Sequence, residues 1–324
     1  MLILFICDHL RAKTFSVVCF FLDNPTINGN LYHTYIKMPS ISIIYFSGTG
    51  NTEFVANLLS QNLSKTYTVD VFKVEEILKQ KLKYEPGKYD IIGIGYPIYG
   101  FNAPLIIYDF VNSLNVSDKK KVFLFSTCAG PTYLNDVASY RLKQKLTRKG
   151  YHVFYERQFY MPPNIGTKYE DEVNKQLCNA VIPKTEKMAE DIKLNKENVR
   201  KDGFIPNLFK WILISEKWWW WALAKDFKTL KSCNLCQKCI QSCPRNNIYI
   251  KNNHIKFKWN CIACYRCVYG CPNKAIAGRL YNFAILKDGY DIRKITENDQ
   301  LKGNYITGET KGYYKILIKY LTED

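Results

Sequence analysis

Two stretches, CNLCQKCIQSCP from Cys233 and CIACYRCVYGCP from Cys261, each repeat C-x2-C-x2-C-x3-C-P and together hold eight of the chain's twelve cysteines. This feature constrains the fold more than any other, because thiols packed so closely along a chain are either a disulfide framework or a set of metal ligands. Disulfide scaffolds are small and spread their bridges through the fold. The rest of this 324-residue chain carries only Cys7, Cys19, Cys128 and Cys178. The asymmetry points to thiolate ligands in a reducing compartment, and so to a cytoplasmic location. Zinc is the simplest competitor. It needs four ligands per ion, and its usual CxxC pairs carry neither a third cysteine at this spacing nor a following proline such as Pro244 and Pro272. The four cysteines outside the runs read as small apolar residues.

Upstream, strand and helix patterns alternate. ISIIYF, from Ile41, is a short apolar run ended by a Gly-rich turn, and TEFVANLLSQNL, from Thr52, spaces its apolar residues for a helix. YTVDVFKV, YDIIGIGYP, KKVFLFSTC and YHVFYERQFY read as further strands. APLIIYDFVNSL and NDVASYRLKQKL read as helices, and Tyr169 to Leu194 as a long polar helix. Strands and helices at this interval predict an α/β fold, a doubly wound parallel sheet covered on both faces. Ligands of such sheets sit beyond the carboxyl ends of the strands.

The stretch SGTGNT, Ser47 to Thr52, lies at such an end. Gly48 and Gly50 permit a sharp turn and a close approach of the backbone, and successive N–H groups with the helix N-terminus favour an anion. Ser47, Thr49, Asn51 and Thr52 add neutral side-chain donors. The loop has no Lys or Arg. It fits neither GxxxxGK[ST] nor GxGxxG, since Glu53 follows Thr52. A phosphate monoester held by neutral donors is the remaining ligand, against an ordinary capped turn as the plain structural alternative.

On these residues the segment from about 40 to 195 resembles the flavodoxin family, whose phosphate loop has the form [ST]-x-T-G-x-T, matched by Ser47, Thr49, Gly50 and Thr52. The resemblance implies FMN, with its phosphate on residues 47–52 and its isoalloxazine ring between two further strand-end loops, YPIYGFNAP and STCAGP. It puts Tyr96, Pro97, Tyr99 and Gly100 of the first loop, and Thr127, Cys128, Ala129 and Gly130 of the second, against the ring. Tyr96 or Tyr99 would stack on its face. The second loop lacks the acidic, Trp- or Tyr-bearing sequence of small carrier flavodoxins.

The cysteine runs in turn resemble bacterial-type ferredoxins, in which the fourth cysteine of each run ligates the other cluster. This implies a small α+β domain with two [4Fe-4S] clusters, one on Cys233, Cys236, Cys239 and Cys271, the other on Cys261, Cys264, Cys267 and Cys243. The whole arrangement resembles flavodoxin–ferredoxin fusion proteins of anaerobic bacteria and protists. The expected organisation is a poorly ordered extension over 1–37, a flavodoxin-like FMN-binding domain over 38–198, an aromatic linker over 199–227, a two-cluster ferredoxin domain over 228–282 and a C-terminal extension over 283–324. In the extension, the apolar run Thr14–Leu22 is too short to span a bilayer and no A-x-A-like cleavage site follows it, while Met38 offers a second start.

The formal charge of +17 has a location: from Lys225 to Leu286, eleven basic residues stand against one acidic residue, Asp226. Anionic clusters offset part of this excess, and the rest suits a redox partner protein with an acidic docking face. No nucleic-acid-binding motif is visible, so no nucleic acid is expected. The linker, rich in Trp and Lys, suits packing between domains better than contact with a membrane surface. No Ser/His/Asp or Cys/His catalytic group is visible, and His9, His33, His152 and His254 show no ligand spacing. Clusters exchange single electrons while FMN takes one or two, so the resemblance implies electron transfer between the clusters, FMN and a partner. The alternative is an iron–sulfur flavoenzyme that reduces a small substrate or exchanges hydride with NAD(P)H at FMN, although no nicotinamide fingerprint is present.

Overall fold

The computed structural model describes residues 38–130, 133–200 and 225–322. The expected N-terminal extension and residues 201–224 of the expected aromatic linker lie outside the described residues.

The four strand patterns that follow ISIIYF, and that run itself, become one parallel sheet: β1 (Ser40–Tyr45), β2 (Thr68–Lys73), β3 (Ile91–Pro97), β4 (Lys120–Cys128) and β5 (Tyr151–Tyr160), in the order β2-β1-β3-β4-β5. Alternate residues of each strand feed opposite layers. Ile41, Ile43 and Tyr45 of β1 pack with Val55, Leu59 and Leu63 of α1 (Asn51–Leu63) and with Val181, Met188 and Ile192 of α5 (Asp171–Lys193). Ile44 of β1 and Ile92 and Ile94 of β3 face Ile107, Phe110 and Val111 of α3 (Leu105–Ser113) and Leu142 and Leu146 of α4 (Tyr140–Arg148). The short α2 (Val74–Leu78) follows the edge strand β2. Gly93 and Gly95 have a packing reason: the rings of Phe123 and Phe125 on β4 occupy the space that their Cβ atoms would need. The reversal of strand order falls between β1 and β3, so the loops after these strands share one end of the sheet.

The cysteine-rich module is built on two small antiparallel ladders. β6 (Phe227–Thr229) pairs β9 (Ile276–Gly278), and β7 (Ile248–Lys251) pairs β8 (His254–Phe257) through a turn at Asn252 and Asn253, both at positive φ. Two short helices, α6 (Lys238–Ser242) and α7 (Arg266–Tyr269), carry the third cysteine of each run. Asn, which tolerates the left-handed region, suits that hairpin turn.

Residues 283–322 return along the α/β module. α8 (Ile292–Thr296) and α9 (Lys315–Thr322) belong to this segment, and Lys175 Nζ on α5 donates to the carbonyls of Thr296 at 2.7 Å and Asn298 at 3.1 Å. Gln176 exchanges both its amide groups with the backbone of Ile306, at 2.8 and 2.7 Å. Leu317 on α9 is buried with Tyr169, Val173 and Leu177. Among the described residues, no helix is long and apolar enough to cross a membrane.

Candidate functional site

The anion loop joins β1 to α1. Gly50 caps the helix at φ +104°, a conformation open to glycine, and its N–H donates to Ser47 Oγ at 3.0 Å. The first-turn N–H groups of α1 have no intrahelical carbonyl to meet, and they face out of this loop. Thr52 Oγ1 lies 2.8 Å from Thr127 Oγ1 on β4, with both residues buried. Thr49 Oγ1 accepts from Asn164 Nδ2 at 2.7 Å, and Asn51 Nδ2 donates to the carbonyl of Pro162 at 2.9 Å. Glu53, the only charge in the first turn, is neutralised: burial opposes its ionisation, but hydrogen bonds from Lys73 at 2.9 Å and Tyr45 at 2.7 Å outweigh it and hold its carboxyl below the usual range.

The two further loops behave differently from each other and from expectation. Tyr99 reaches the anion loop: its hydroxyl stands against Gly48, where a Cβ would come within 2.5 Å of it, and its ring meets Phe46 edge-on at 6.4 Å. Gly100 and Phe101 turn the chain at positive φ, closed by Tyr99 and Asn102 exchanging backbone hydrogen bonds at 2.9 and 3.0 Å. Pro97 pairs with Thr127 across the sheet. Tyr96, the other stacking residue expected, is instead a core residue with 1% of its surface exposed, because strand alternation turns it into the α3/α4 layer. In the second loop Cys128 is half-buried, its thiol pushed up to about 12 by burial. The carbonyls of Ala129 and Gly130 accept from Tyr169 Oη at 3.0 Å and Asn135 Nδ2 at 2.9 Å.

The eight cysteines of the two runs fall into two quartets. Cys233, Cys236, Cys239 and Cys271 line one small cavity, and Cys243, Cys261, Cys264 and Cys267 line another. Each cavity thus takes three cysteines of one run and the last of the other. Paired residues of the runs share the rare left-handed backbone: Leu235 and Ala263 at φ +56° and +47°, and Gln237 and Tyr265 at +62° and +56°. Non-glycine residues held there are strained, and such strain gathers at binding sites. It turns backbone amides inward, where Ala263 donates to Cys261 Sγ at 3.3 Å, Asn247 to Cys243 Sγ at 3.2 Å and Ala275 to Cys271 Sγ at 3.3 Å. Burial, then repulsion from Cys264, Cys261 and Cys243, pushes the Cys267 thiol well above its ordinary value. Burial and mutual repulsion disfavour thiolates here, so four of them together would require a cationic centre between them. Among the described residues no group of three or more His, Cys, Asp or Glu side chains closes tightly enough for a single metal ion.

The second quartet and the anion loop are in contact. A Cβ on Gly48 would lie 2.6 Å from the Cys264 carbonyl, and Ile262 and Cys264 belong to the same buried layer as Ile94 and Phe110. Arg266 bridges them: it donates to the Ser47 carbonyl at 2.5 Å, to Glu75 Oε1 at 2.6 Å and to the Ser242 carbonyl at 3.2 Å, with its guanidinium 5.5 Å from the centre of the Phe46 ring. The cysteine module therefore supplies a basic residue that holds the loop by its backbone, with its charge paired to Glu75. Lys79 Nζ donates to the Cys243 carbonyl at 2.6 Å, and Arg245 pairs with Asp109. The C-terminal segment closes another side: Tyr290 Oη donates to Asn51 Oδ1, and Ile292 packs on Gly50. Arg266, Asn164, Tyr290 and Ile292 were not legible as site residues, since none stands near the loop in sequence. A cleft of about 1640 Å³ opens from Ser47–Gly50 toward Arg266, Cys271 and Phe283. The loop, its helix terminus and this space fit a phosphate ester such as FMN, and the quartets fit iron–sulfur clusters.

Residues 42–160 match the family model of the flavodoxin domain, and residues 225–272 match that of the 4Fe-4S dicluster domain. Among solved structures the chain is similar to oxidised Flavodoxin 2 from Bacillus cereus, at 20% identity over 48% of this chain and 98% of that one, with a TM-score of 0.35. It is also similar to a flavodoxin from the domain Archaea, at 17% identity over 48% and 99% and a TM-score of 0.33. A third is the flavodoxin of Streptococcus pneumonia TIGR4, at 18% identity over 48% and 97% and a TM-score of 0.34. No curated protein matches the chain.

Proposed function

We propose that this chain, a flavodoxin domain followed by a 4Fe-4S dicluster domain, is an electron-transfer protein that passes electrons between two [4Fe-4S] clusters and FMN and on to a partner redox protein. The two domains imply a redox role, FMN and iron–sulfur clusters. The observation that carries the finer reading is the contact of Gly48 in the phosphate loop with Cys264 in the second quartet. Clusters supply single electrons and FMN takes one or two, so a contact between their binding loops suits exchange between the two modes. In this reading Cys233, Cys236, Cys239 and Cys271 hold one cluster and Cys243, Cys261, Cys264 and Cys267 the other. Ser47 to Thr52 hold the FMN phosphate, with Arg266 and Asn164 fixing the loop.

Anaerobically purified protein is expected to contain about eight iron, eight sulfide and one FMN per chain. Stoichiometric zinc in place of iron would refute the cluster half, and iron-replete protein without FMN the flavin half. The cleft beside Gly48–Gly50 favours a second reading, a flavoenzyme with room for a small substrate. Anaerobic titration with NADH, NADPH and a reduced ferredoxin separates the two. Reduction by the ferredoxin alone supports the carrier, and stoichiometric reduction by a nicotinamide supports the enzyme.

A further inference from the structure

The two cysteine runs correspond residue by residue, in cysteine spacing and in the left-handed pairs Leu235/Ala263, Gln237/Tyr265 and Asn246/Lys274. In this correspondence the counterpart of Arg266 is Lys238: each follows a left-handed residue, opens a short helix and precedes the third cysteine. Arg266 is where the cysteine module receives the α/β module, through the Glu75 carboxylate and the Ser47 carbonyl. Lys238 is exposed instead, as are Cys236 in the same run and Lys231 just before it.

The charges explain what each end can receive. From Phe227 to Leu286 the sequence contains no Asp or Glu, so every carboxylate that meets this stretch comes from elsewhere. The second quartet's end has received two, Glu75 at Arg266 in the second run and Asp109 at Arg245, which follows the first run but lines the second quartet's cavity. Asp226, just before the stretch, is taken up by the backbone N–H groups of Arg279, Leu280 and Tyr281 at 2.6 to 3.2 Å. The first run meets no carboxylate in any ion pair among the described residues.

We propose that the face of the first cysteine run, centred on Lys238 and Lys231, is the docking surface for an acidic redox protein. That partner stands to the first quartet as the chain's own α/β module stands to the second, with a carboxylate on Lys238 in the place that Glu75 takes on Arg266. The inference rests on the electron-transfer reading and gives it a direction. One electron leaves the partner's reduced centre, which is oxidised by one, and enters the centre held by Cys233, Cys236, Cys239 and Cys271. It then moves to the second quartet, which adjoins the phosphate loop. No bond changes and no proton is required at the docking face.

The test uses the full chain with its cofactors, an acidic two-cluster ferredoxin as probe, and the variants Lys238→Glu, Lys231→Glu, the double reversal and Arg148→Glu on α4 as a control. Affinity between the oxidised proteins is measured by calorimetry at several salt concentrations, and reduction is followed with the pre-reduced ferredoxin and, separately, with dithionite. Rim charges act mainly on association and its salt dependence. The double reversal is expected to weaken binding by about tenfold or more and to flatten the salt dependence, with dithionite reduction unchanged and Arg148→Glu silent. Unchanged affinity in the double reversal, with the ferredoxin still reducing the chain, overturns the docking face and leaves the electron-transfer reading standing. A wild-type chain that dithionite reduces but the ferredoxin neither binds nor reduces overturns the acidic-partner reading itself. Binding to anionic phospholipid vesicles that Lys238→Glu abolishes, without binding to the ferredoxin, would assign the face to a membrane instead.

Discussion

Arg266 joins the two modules through one side chain, and its pair with Glu75 is the sharpest test of how they are held. The guanidinium is 24% exposed and the carboxylate 8%, so the pair is mostly withdrawn from water. Glu75 Oε2 is buried and has no hydrogen-bond partner among the described residues, which leaves this carboxylate dependent on Arg266. Removing one member of a buried pair costs roughly 3–5 kcal/mol, and the residual exposure of Arg266 places Arg266→Ala near about 3 kcal/mol. Its contact with Phe46 contributes about 0.5–1 kcal/mol of that. The measurement is a double-mutant cycle of Arg266→Ala and Glu75→Ala in urea, with tryptophan and flavin fluorescence followed together and iron content checked in each variant. A coupling of about 2 kcal/mol is expected, a factor of about thirty. Flavin release should accompany the first transition, because Arg266 also holds the Ser47 carbonyl. A coupling below about 0.5 kcal/mol, in variants that keep their iron, would show that apolar packing of Ile262 and Cys264 holds the modules and that the ion pair is incidental.

Cross-ligation predicts that Cys243→Ala damages the cluster on Cys261, Cys264 and Cys267 and spares that on Cys233, Cys236 and Cys239; electron paramagnetic resonance of the reduced double variants with Cys233→Ala and Cys261→Ala decides it, since only the first pair should abolish both signals. Thr49→Leu removes the acceptor of Asn164 and crowds the loop, so it should release FMN with the cluster signals intact, and retained FMN would move the phosphate site elsewhere. Gly50→Ala must adopt φ +104° at a cost of about 1–2 kcal/mol, and Ile292→Ala should relieve only the added contact with Ile292 Cγ2, at 2.7 Å, and not the backbone strain. Asp191 is buried, and although burial opposes its ionisation, Tyr155 Oη at 2.9 Å and the Lys196 and Lys187 ammonium groups hold its carboxyl below the usual range. Its folded value is lower than its unfolded one, so its contribution is present above the ordinary Asp range and lost as pH falls through the folded value. Asp191→Asn should cost about 2 kcal/mol at neutral pH and flatten the acid limb of the stability curve, as read by urea midpoints between pH 7 and pH 3.

The α/β module was legible because its information is local. Ile41, Ile43 and Ile44 on a strand, then two glycines, then Val55, Ala56 and Leu59 at helical spacing, specify strand, loop and helix without knowledge of the rest of the chain. Strand alternation could also have excluded Tyr96 from the site. It shares a face with Ile92 and Ile94, and periodicity of two would have turned it inward with them. What was not legible depends on distant chain segments meeting. Arg266 reads as one more basic residue between cysteines until Glu75 and Ser47 are folded against it. Tyr290 and Ile292 lie in a polar C-terminal stretch with little periodicity, and only the docking of 296–306 along α5 brings them to Asn51 and Gly50.

The charge pattern links cofactor retention to how the parts hold together. Ten basic residues between Phe227 and Leu286, with no carboxylate among them, repel one another in a module whose own core is small. Two sources of negative charge can offset that repulsion: the clusters that we propose the quartets hold, and Glu75 and Asp109 brought by the α/β module. The second quartet has both. The first pairs with no carboxylate among the described residues and leaves Lys231 and Lys238 exposed, so in the proposed docking an acidic partner balances its charge. An end that is electrostatically complete and tied to the flavin loop, beside an end that is incomplete and exposed, is an asymmetry that a simple store of electrons would not need. It suits a relay in which the incomplete end meets a transient partner, and the salt-sensitive, weak character of exposed pairs there would let that partner leave after each electron.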